Sequence, residues 1–160
     1  MNDSASPVLI AYDGSDAAKQ AIRAAAELFG GRRAYVVTIW EPGLAYAMSD
    51  LAPGGPELSP TPMDIGSTQE LEEELQVHAR RTAAEGAELA REAGLDCEAL
   101  VVADRVSVAE ALVEVAQQQS VAAIVVGSRG LSGLRARLEG STSSAVLKRA
   151  ACPVVVVHDH

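Results

Sequence analysis

The sequence predicts an α/β protein: a parallel sheet with helices on both faces. Two observations carry this. Short apolar runs rich in Val and Ile, at 8–12, 34–40, 97–102, 121–126 and 153–157, alternate with longer segments of helical period. Apolar residues make up 48% of the 160, with Ala and Val dominant and aromatics at only 3%, which suits Val/Ile strands under Ala-rich helices. A βαβαβαβαβ order requires right-handed crossovers, so the strands run parallel in a three-layer, flavodoxin- or Rossmann-like arrangement.

The elements follow in order. Val8–Tyr12 reads as the first strand, short and fully apolar. Asp13-Gly14-Ser15 is a turn, with Ser15 as a cap and Asp16 suited to the first turn of a helix. That helix places Ala18, Ala21, Ile22, Ala25, Leu28 and Phe29 on one face, and Gly30-Gly31 stops it. Ala34–Trp40 is the second strand. Residues 42–66 then carry Pro42, Pro53, Pro56, Pro60 and Pro62 without helical or alternating period, and read as a loop insertion or a functional lid.

Thr68–Ala93 reads as a long amphipathic helix, with Leu71, Leu75, His78, Thr82, Gly86, Leu89 and Ala93 along its inner stripe. Glu70, Glu72, Glu73 and Glu74 crowd its start, where the helix dipole favours acids, and they read as a solvated face. His78 reads as a core-edge residue, and Gly86 as a point of close packing on the sheet. Cys97–Val102 is the third strand, and Val106–Gln118 a helix with Val108, Ala111, Leu112 and Val115 inward. Val121–Val126 is the fourth strand, Ser141–Ala150 the last helix, and Pro153–Val157 the fifth strand, its leading Pro at a strand start. The whole chain, 1–160, is expected to be one domain long enough to bury a core.

The segment after the fourth strand carries the chemistry. Gly127-Ser128-Arg129-Gly130 leads on to Gly140-Ser141-Thr142 at the start of a helix. Glycines let backbone approach a ligand closely, and a helix N-terminus offers unpaired N–H groups to an anion. Arg129, Arg135 and Arg137 stand against Glu139 alone, a positive island in a chain of net charge −9. Arg129 between its glycines is the better ligand candidate, while Arg135 and Arg137 read as solvated charges. The pattern indicates a phosphate site, and hence a nucleotide. In an open parallel sheet the ligand crevice lies beyond the carboxyl ends of the strands, at the switch point. Asp13 and Gly127 each follow a strand there. Asp13 could accept hydrogen bonds from a base or ribose, or help hold Mg2+, while also serving as a helix-start turn residue.

Composition excludes several classes. The acidic balance argues against nucleic-acid binding and against an anionic membrane surface. No run approaches the about 18 apolar residues of a spanning helix, and the polar start Met1-Asn2-Asp3-Ser4 does not read as a signal peptide. A cytoplasmic location is expected. Cys97 and Cys152 have no motif spacing and read as small hydrophobes on strands. His158-Asp159-His160 reads as a free tail rather than a metal site.

These residues together resemble the universal stress protein family over nearly the whole length. Val8–Ser15 is similar to that family's first strand and Asp-Gly-Ser turn, and Cys152–Val157 to its closing strand. The specific part is the ATP-associated pattern of Gly, two residues, Gly, nine residues, Gly, then Ser or Thr, matched here by Gly127, Gly130, Gly140 and Ser141. The resemblance implies strand order 3-2-1-4-5 and a homodimer through the fifth strand, 153–157. It places Asp13 at the adenosine end of ATP, with Ile39 and Val126 enclosing the adenine. Gly127, Arg129 and Gly130 would approach the ribose and phosphates, and Gly140, Ser141 and Thr142 would hold the phosphates. Tyr12, Gly14, Ser128 and Gly133 complete the expected ligand set, with Mg2+ reaching Asp13 through the nucleotide. Family members often carry Gly where this chain has Ala103, and Asp104-Arg105 could place a charge near the ligand. Trp40 could cap the adenine pocket or pack under the proline-rich loop.

Other readings fare less well. An ATPase or phosphotransferase needs metal ligands and an activated acceptor. No Gly-x4-Gly-Lys-Ser/Thr occurs, and Asp13 is the only good acid at the crevice, with Asp104 second. Slow hydrolysis is the most this supports. A receiver-type phosphorylation switch would want paired acids after the first strand and Lys after the fifth. A dinucleotide site would want Gly-x-Gly-x-x-Gly in the first turn. A nucleotide-free dimeric interaction module is disfavoured by the complete glycine pattern. The expectation is an ATP-binding stress-response regulator that acts through conformation or an unidentified protein partner.

Overall fold

The structure is a computed structural model that describes residues 5–43, 65–128 and 142–158. Its strands are β1 (Val8–Ala11), β2 (Arg33–Trp40), β3 (Asp96–Ala103), β4 (Ala123–Gly127) and β5 (Val154–Val157). Its helices are α1 (Asp16–Phe29), α2 (Ile65–Glu92), α3 (Val108–Gln118) and α4 (Thr142–Arg149). All strand pairs are parallel, in the order β3-β2-β1-β4-β5. The expected architecture is therefore the observed one.

Alternation along the strands divides the core in two. Val8, Ile10 and Tyr12 of the β1 segment join Ala34 and Val36 of β2 and Val125 of β4 beneath α1 and α2. Leu9, Ala11, Val37, Ile124 and Val126 face the opposite way, against Leu112 and Val115 of α3 and Val146 of α4. The period of two in a strand makes this division automatic. β1 and most of β2 and β4 are buried on both faces, which is why those runs read as continuously apolar, while the edge strands β3 and β5 are only partly buried.

Serines cap two helix starts, Ser15 as expected and Ser107 inside the segment read as helix. Ser15 caps α1 by accepting from the Ala18 amide at 3.1 Å, and Ser107 caps α3 by accepting from the Glu110 amide at 3.2 Å. The second cap moves the start of α3 from the expected Val106 to Val108. The amide of Val121 still closes the end of α3 on the Ala116 carbonyl (3.1 Å), so β4 begins only at Ala123.

The helix faces need correction. Leu28, expected inside, is 61% exposed. On α2 the expected stripe is buried only at Thr82 and Gly86, and Gly86 is the point of close packing expected of it. Leu71, Leu75 and Leu89 are half-buried, and His78 and Ala93 are exposed. The buried residues are Thr68, Ala79, Thr82, Ala83, Gly86, Ala87 and Ala90. Small side chains win this face because α2 lies close to the sheet. A Cβ on Gly86 would come within 2.5 Å of the Tyr12 ring, so no larger residue fits. Helix α2 also starts at Ile65, inside the segment read as loop, and Glu72 is not merely solvated: its Oε1 accepts from the Gly43 amide at 2.7 Å. Cys97 is buried on β3, whereas Cys152 is half-buried ahead of β5; both are free thiols.

Candidate functional site

The switch point falls between β1 and β4, where the direction of strand addition reverses. Strand β1 ends at Ala11, while β2 runs on to Trp40 and β4 to Gly127. Registers of Ala11 with Val37 and Ile10 with Val125 carry Asp13 level with Ile39 on one side and Ser128 on the other. The sheet therefore has a notch at the carboxyl end of β1, and the β1–α1 turn occupies it.

That turn is tightly specified. The Tyr12 amide donates to the Val37 carbonyl at 2.9 Å, and the Tyr12 carbonyl accepts from Thr38 Oγ1 at 2.8 Å. Asp13 Oδ1 accepts from the Ser15 amide at 2.9 Å, an Asx turn. Gly14 has φ +84°, where L side chains are strained and glycine is not. Asp13, Gly14 and Ser15 are all half-buried, so they face the notch without being sealed from it.

Tyr12 differs from its expected role. Its side chain is fully buried on the α1/α2 face, and its hydroxyl donates to Glu85 Oε1 at 2.9 Å. Burial, then the Glu85 hydrogen bond and the charges of Glu85 and Asp13, push the phenol well above its ordinary value. The Tyr12 side chain is thus a core support, and only its main chain belongs to the turn.

Ile39 and Val126 share the opposite face with Ala11 and Val37, Ile39 half-buried and Val126 fully buried. Ala11, Val37 and Val126 are core residues packed toward α3 and α4, and of the four only Ile39 is partly accessible. Gly127 has a packing reason of its own: a Cβ there would lie 2.9 Å from the Ala17 carbonyl carbon and oxygen. The space a side chain would need is filled by α1. The Ser128 amide donates to the Val157 carbonyl at 2.8 Å, and the residue is half-buried. Thr142 opens α4 and is half-buried. Arg129, Gly130, Gly133, Gly140 and Ser141 lie outside the described residues, as do Arg135, Arg137 and nearly all of the proline-rich segment.

Asp104 is buried and its amide donates to the Trp40 carbonyl at 2.8 Å, which closes the ends of β3 and β2. Trp40 is half-buried. Among the described residues, no group of three or more His, Cys, Asp or Glu side chains converges as a metal site. No described helix is long and apolar enough to cross a membrane. Sequence reasoning missed Thr38 and Glu85. Thr38 had one available signal, a hydroxyl inside an otherwise apolar strand; Glu85 had none.

The fold is a parallel α/β sheet that brings the β1–α1 turn and the end of β4 together at its carboxyl end. The universal stress protein family profile matches residues 5–158, and the chain belongs to that family. It is 28% identical to universal stress protein YxiE of Bacillus subtilis over 161 residues, covering 94% of this chain and 97% of that protein. A solved universal stress protein in complex with cAMP aligns with TM-score 0.65 at 23% identity, covering 99% of this chain and 100% of that one. The universal stress protein from Archaeoglobus fulgidus in complex with dAMP aligns with TM-score 0.62 at 24% identity, covering 94% and 95%.

Proposed function

We propose that this protein binds ATP at the notch beyond β1 and acts as a nucleotide-dependent stress-response regulator rather than as an efficient catalyst. The observation that carries this reading is the half-buried carboxylate turn Asp13–Ser15 at the carboxyl end of β1, with half-buried Ile39 level with it on β2. That pairing suits a nucleoside, with an apolar face for the base and a hydrogen-bond acceptor for the sugar. Complexes of related folds with cAMP and dAMP support an adenine nucleotide. The pattern Gly127, Gly130, Gly140 and Ser141 supports a polyphosphate.

In this reading Asp13 accepts from the ribose, and Ile39 and Val126 flank the base. Ser128, Arg129, Gly130, Gly133, Gly140, Ser141 and Thr142 serve the phosphates. Mg2+ would arrive with the nucleotide and neutralise its phosphates. Regulation would run through conformation, with the surface around 42–66 and 127–141 read by a protein partner. Strand β5 ends the sheet, and its four valines are all half-buried, which supports a homodimer that covers this edge.

Titration calorimetry of Mg-ATP, AMP and cAMP into wild type and a Gly130→Ala, Gly140→Ala double variant tests the site. Binding by the wild type, weakened at least about tenfold in a variant with an intact circular dichroism spectrum, is expected. Absence of binding by any of the three nucleotides overturns the reading. Protease digestion with and without Mg-ATP tests the regulatory part, and identical cleavage across 42–66 counts against it.

A further inference from the structure

We infer that Thr38 is a positioning residue for the candidate site, aiming the Asp13 carboxylate by holding the last carbonyl of the β1 segment. The inference rests on the nucleotide reading for its consequence, but its geometry stands apart from any ligand.

Thr38 is 5% exposed and lies in a strand that is otherwise apolar from Ala34 to Ile39. Valine would suit that environment equally in shape, yet the chain buries a hydroxyl there. The hydroxyl donates to the Tyr12 carbonyl at 2.8 Å. Tyr12 stands one residue past the end of β1, where its amide makes the last bond to β2, at the Val37 carbonyl. Thr38 therefore fixes the peptide plane joining Tyr12 to Asp13, where the chain leaves the sheet. A β-branched residue has few χ1 choices, so the hydroxyl is delivered in one direction.

From that plane the order propagates. Asp13 Oδ1 takes the Ser15 amide at 2.9 Å, Gly14 makes the bend, and Ser15 Oγ takes the Ala18 amide at 3.1 Å to start α1. Without the hydroxyl the Tyr12 carbonyl is buried without that partner, and a polar group in that state reorients to find another. The carboxylate direction would move with it.

The test compares Thr38→Val, which keeps the shape, with Thr38→Ser, which keeps the hydroxyl. Hydrogen exchange of the Ser15 amide is measured by NMR and normalised to the Ile10 and Val36 amides of the sheet core. Selective loss of Ser15 protection in Thr38→Val, restored in Thr38→Ser, is the expected result. Unchanged Ser15 protection overturns the inference, and so does an equal loss at Ser15, Ile10 and Val36, which would mark a merely structural residue. Mg-ATP affinity is read in parallel. It should fall about tenfold in Thr38→Val, the worth of one hydrogen bond, and hold in Thr38→Ser. If the wild type binds no nucleotide, the functional reading fails while the exchange measurement still decides the role of Thr38.

Discussion

Gly127 at the end of β4 sits against the backbone of Ala17 in the first turn of α1, with room for hydrogen and no more. A Cβ would come within 2.9 Å of the Ala17 carbonyl and 3.0 Å of its Cβ. The neighbour is backbone inside a capped helix, so it cannot swing aside. Gly127→Ala is therefore expected to lower stability by about 1–3 kcal/mol through overpacking. Urea unfolding of the variant measures this. An unchanged midpoint would show that α1 yields freely. The finding also limits what a Gly127 variant says about ligands, because it displaces α1 whether or not a nucleotide binds.

Tyr12 and Gly86 form a second close contact, between the residue after β1 and α2 on the same face of the sheet. A Cβ on Gly86 would lie 2.5–2.9 Å from three atoms of the Tyr12 ring. Gly86→Ala should cost about 1–3 kcal/mol. Truncating the ring should relieve that clash, so Gly86→Ala with Tyr12→Val should be less destabilised than the two single changes added together. Unfolding midpoints of the three variants check it, and strict additivity would mean the ring already moves aside in Gly86→Ala.

The same burial makes the protein alkali-sensitive. Tyr12 ionises well above its ordinary value of 10.0, and burial also pushes the Cys97 and Cys152 thiols above their ordinary 9.0. A raised acid holds its proton in the folded state after the unfolded chain has released it. Its contribution is complete below the unfolded value and is lost as pH rises toward the folded one. Stability should thus hold up to about pH 9 and then fall, more steeply beyond about pH 10. In Tyr12→Phe the steeper limb should flatten. Urea unfolding across this range decides it, and a wild-type curve flat to high pH would contradict the buried phenol.

The fold was legible because its strands are uninterrupted apolar runs and its junctions carry Gly, Ser or Asp. Strand boundaries agree with β2, β3 and β5 to one residue at each end. The face of α2 was legible only at Thr82 and Gly86, because hydrophobic periodicity weights Leu71, Leu75 and Leu89, whereas contact with the sheet also selects Ala79, Ala83, Ala87 and Ala90 for being small. At the site, Asp13 and Gly14 could be read from the turn sequence alone. Tyr12 continues the alternation of Val8 and Ile10 onto the α1/α2 face, but a fully apolar run does not mark which helices cover that face. Thr38 acts through a hydrogen bond to a carbonyl 26 positions away, which no local pattern reports. Gly127 was read for a ligand, but the atoms nearest its missing Cβ belong to Ala17.

The paired serine caps separate stability from site geometry. Ser15 Oγ and Ser107 Oγ each accept one amide at a helix start, at 3.1 and 3.2 Å. Replacing either by Ala should cost about 1 kcal/mol, the usual worth of a cap. Only Ser15 is also bound to Asp13, through its amide, which Ala retains. Ser15→Ala loosens the first turn of α1 directly beside the Asp13 carboxylate, whereas Ser107→Ala loosens the start of a helix that follows β3, the edge strand two positions from β1. The two variants should therefore be about equally destabilised, while Mg-ATP affinity falls in Ser15→Ala and holds in Ser107→Ala. Denaturant unfolding and calorimetry on the same preparations make the comparison. Equal loss of affinity in both would mean that binding tracks overall stability. The Asp13 turn would then have no special part in holding the nucleotide.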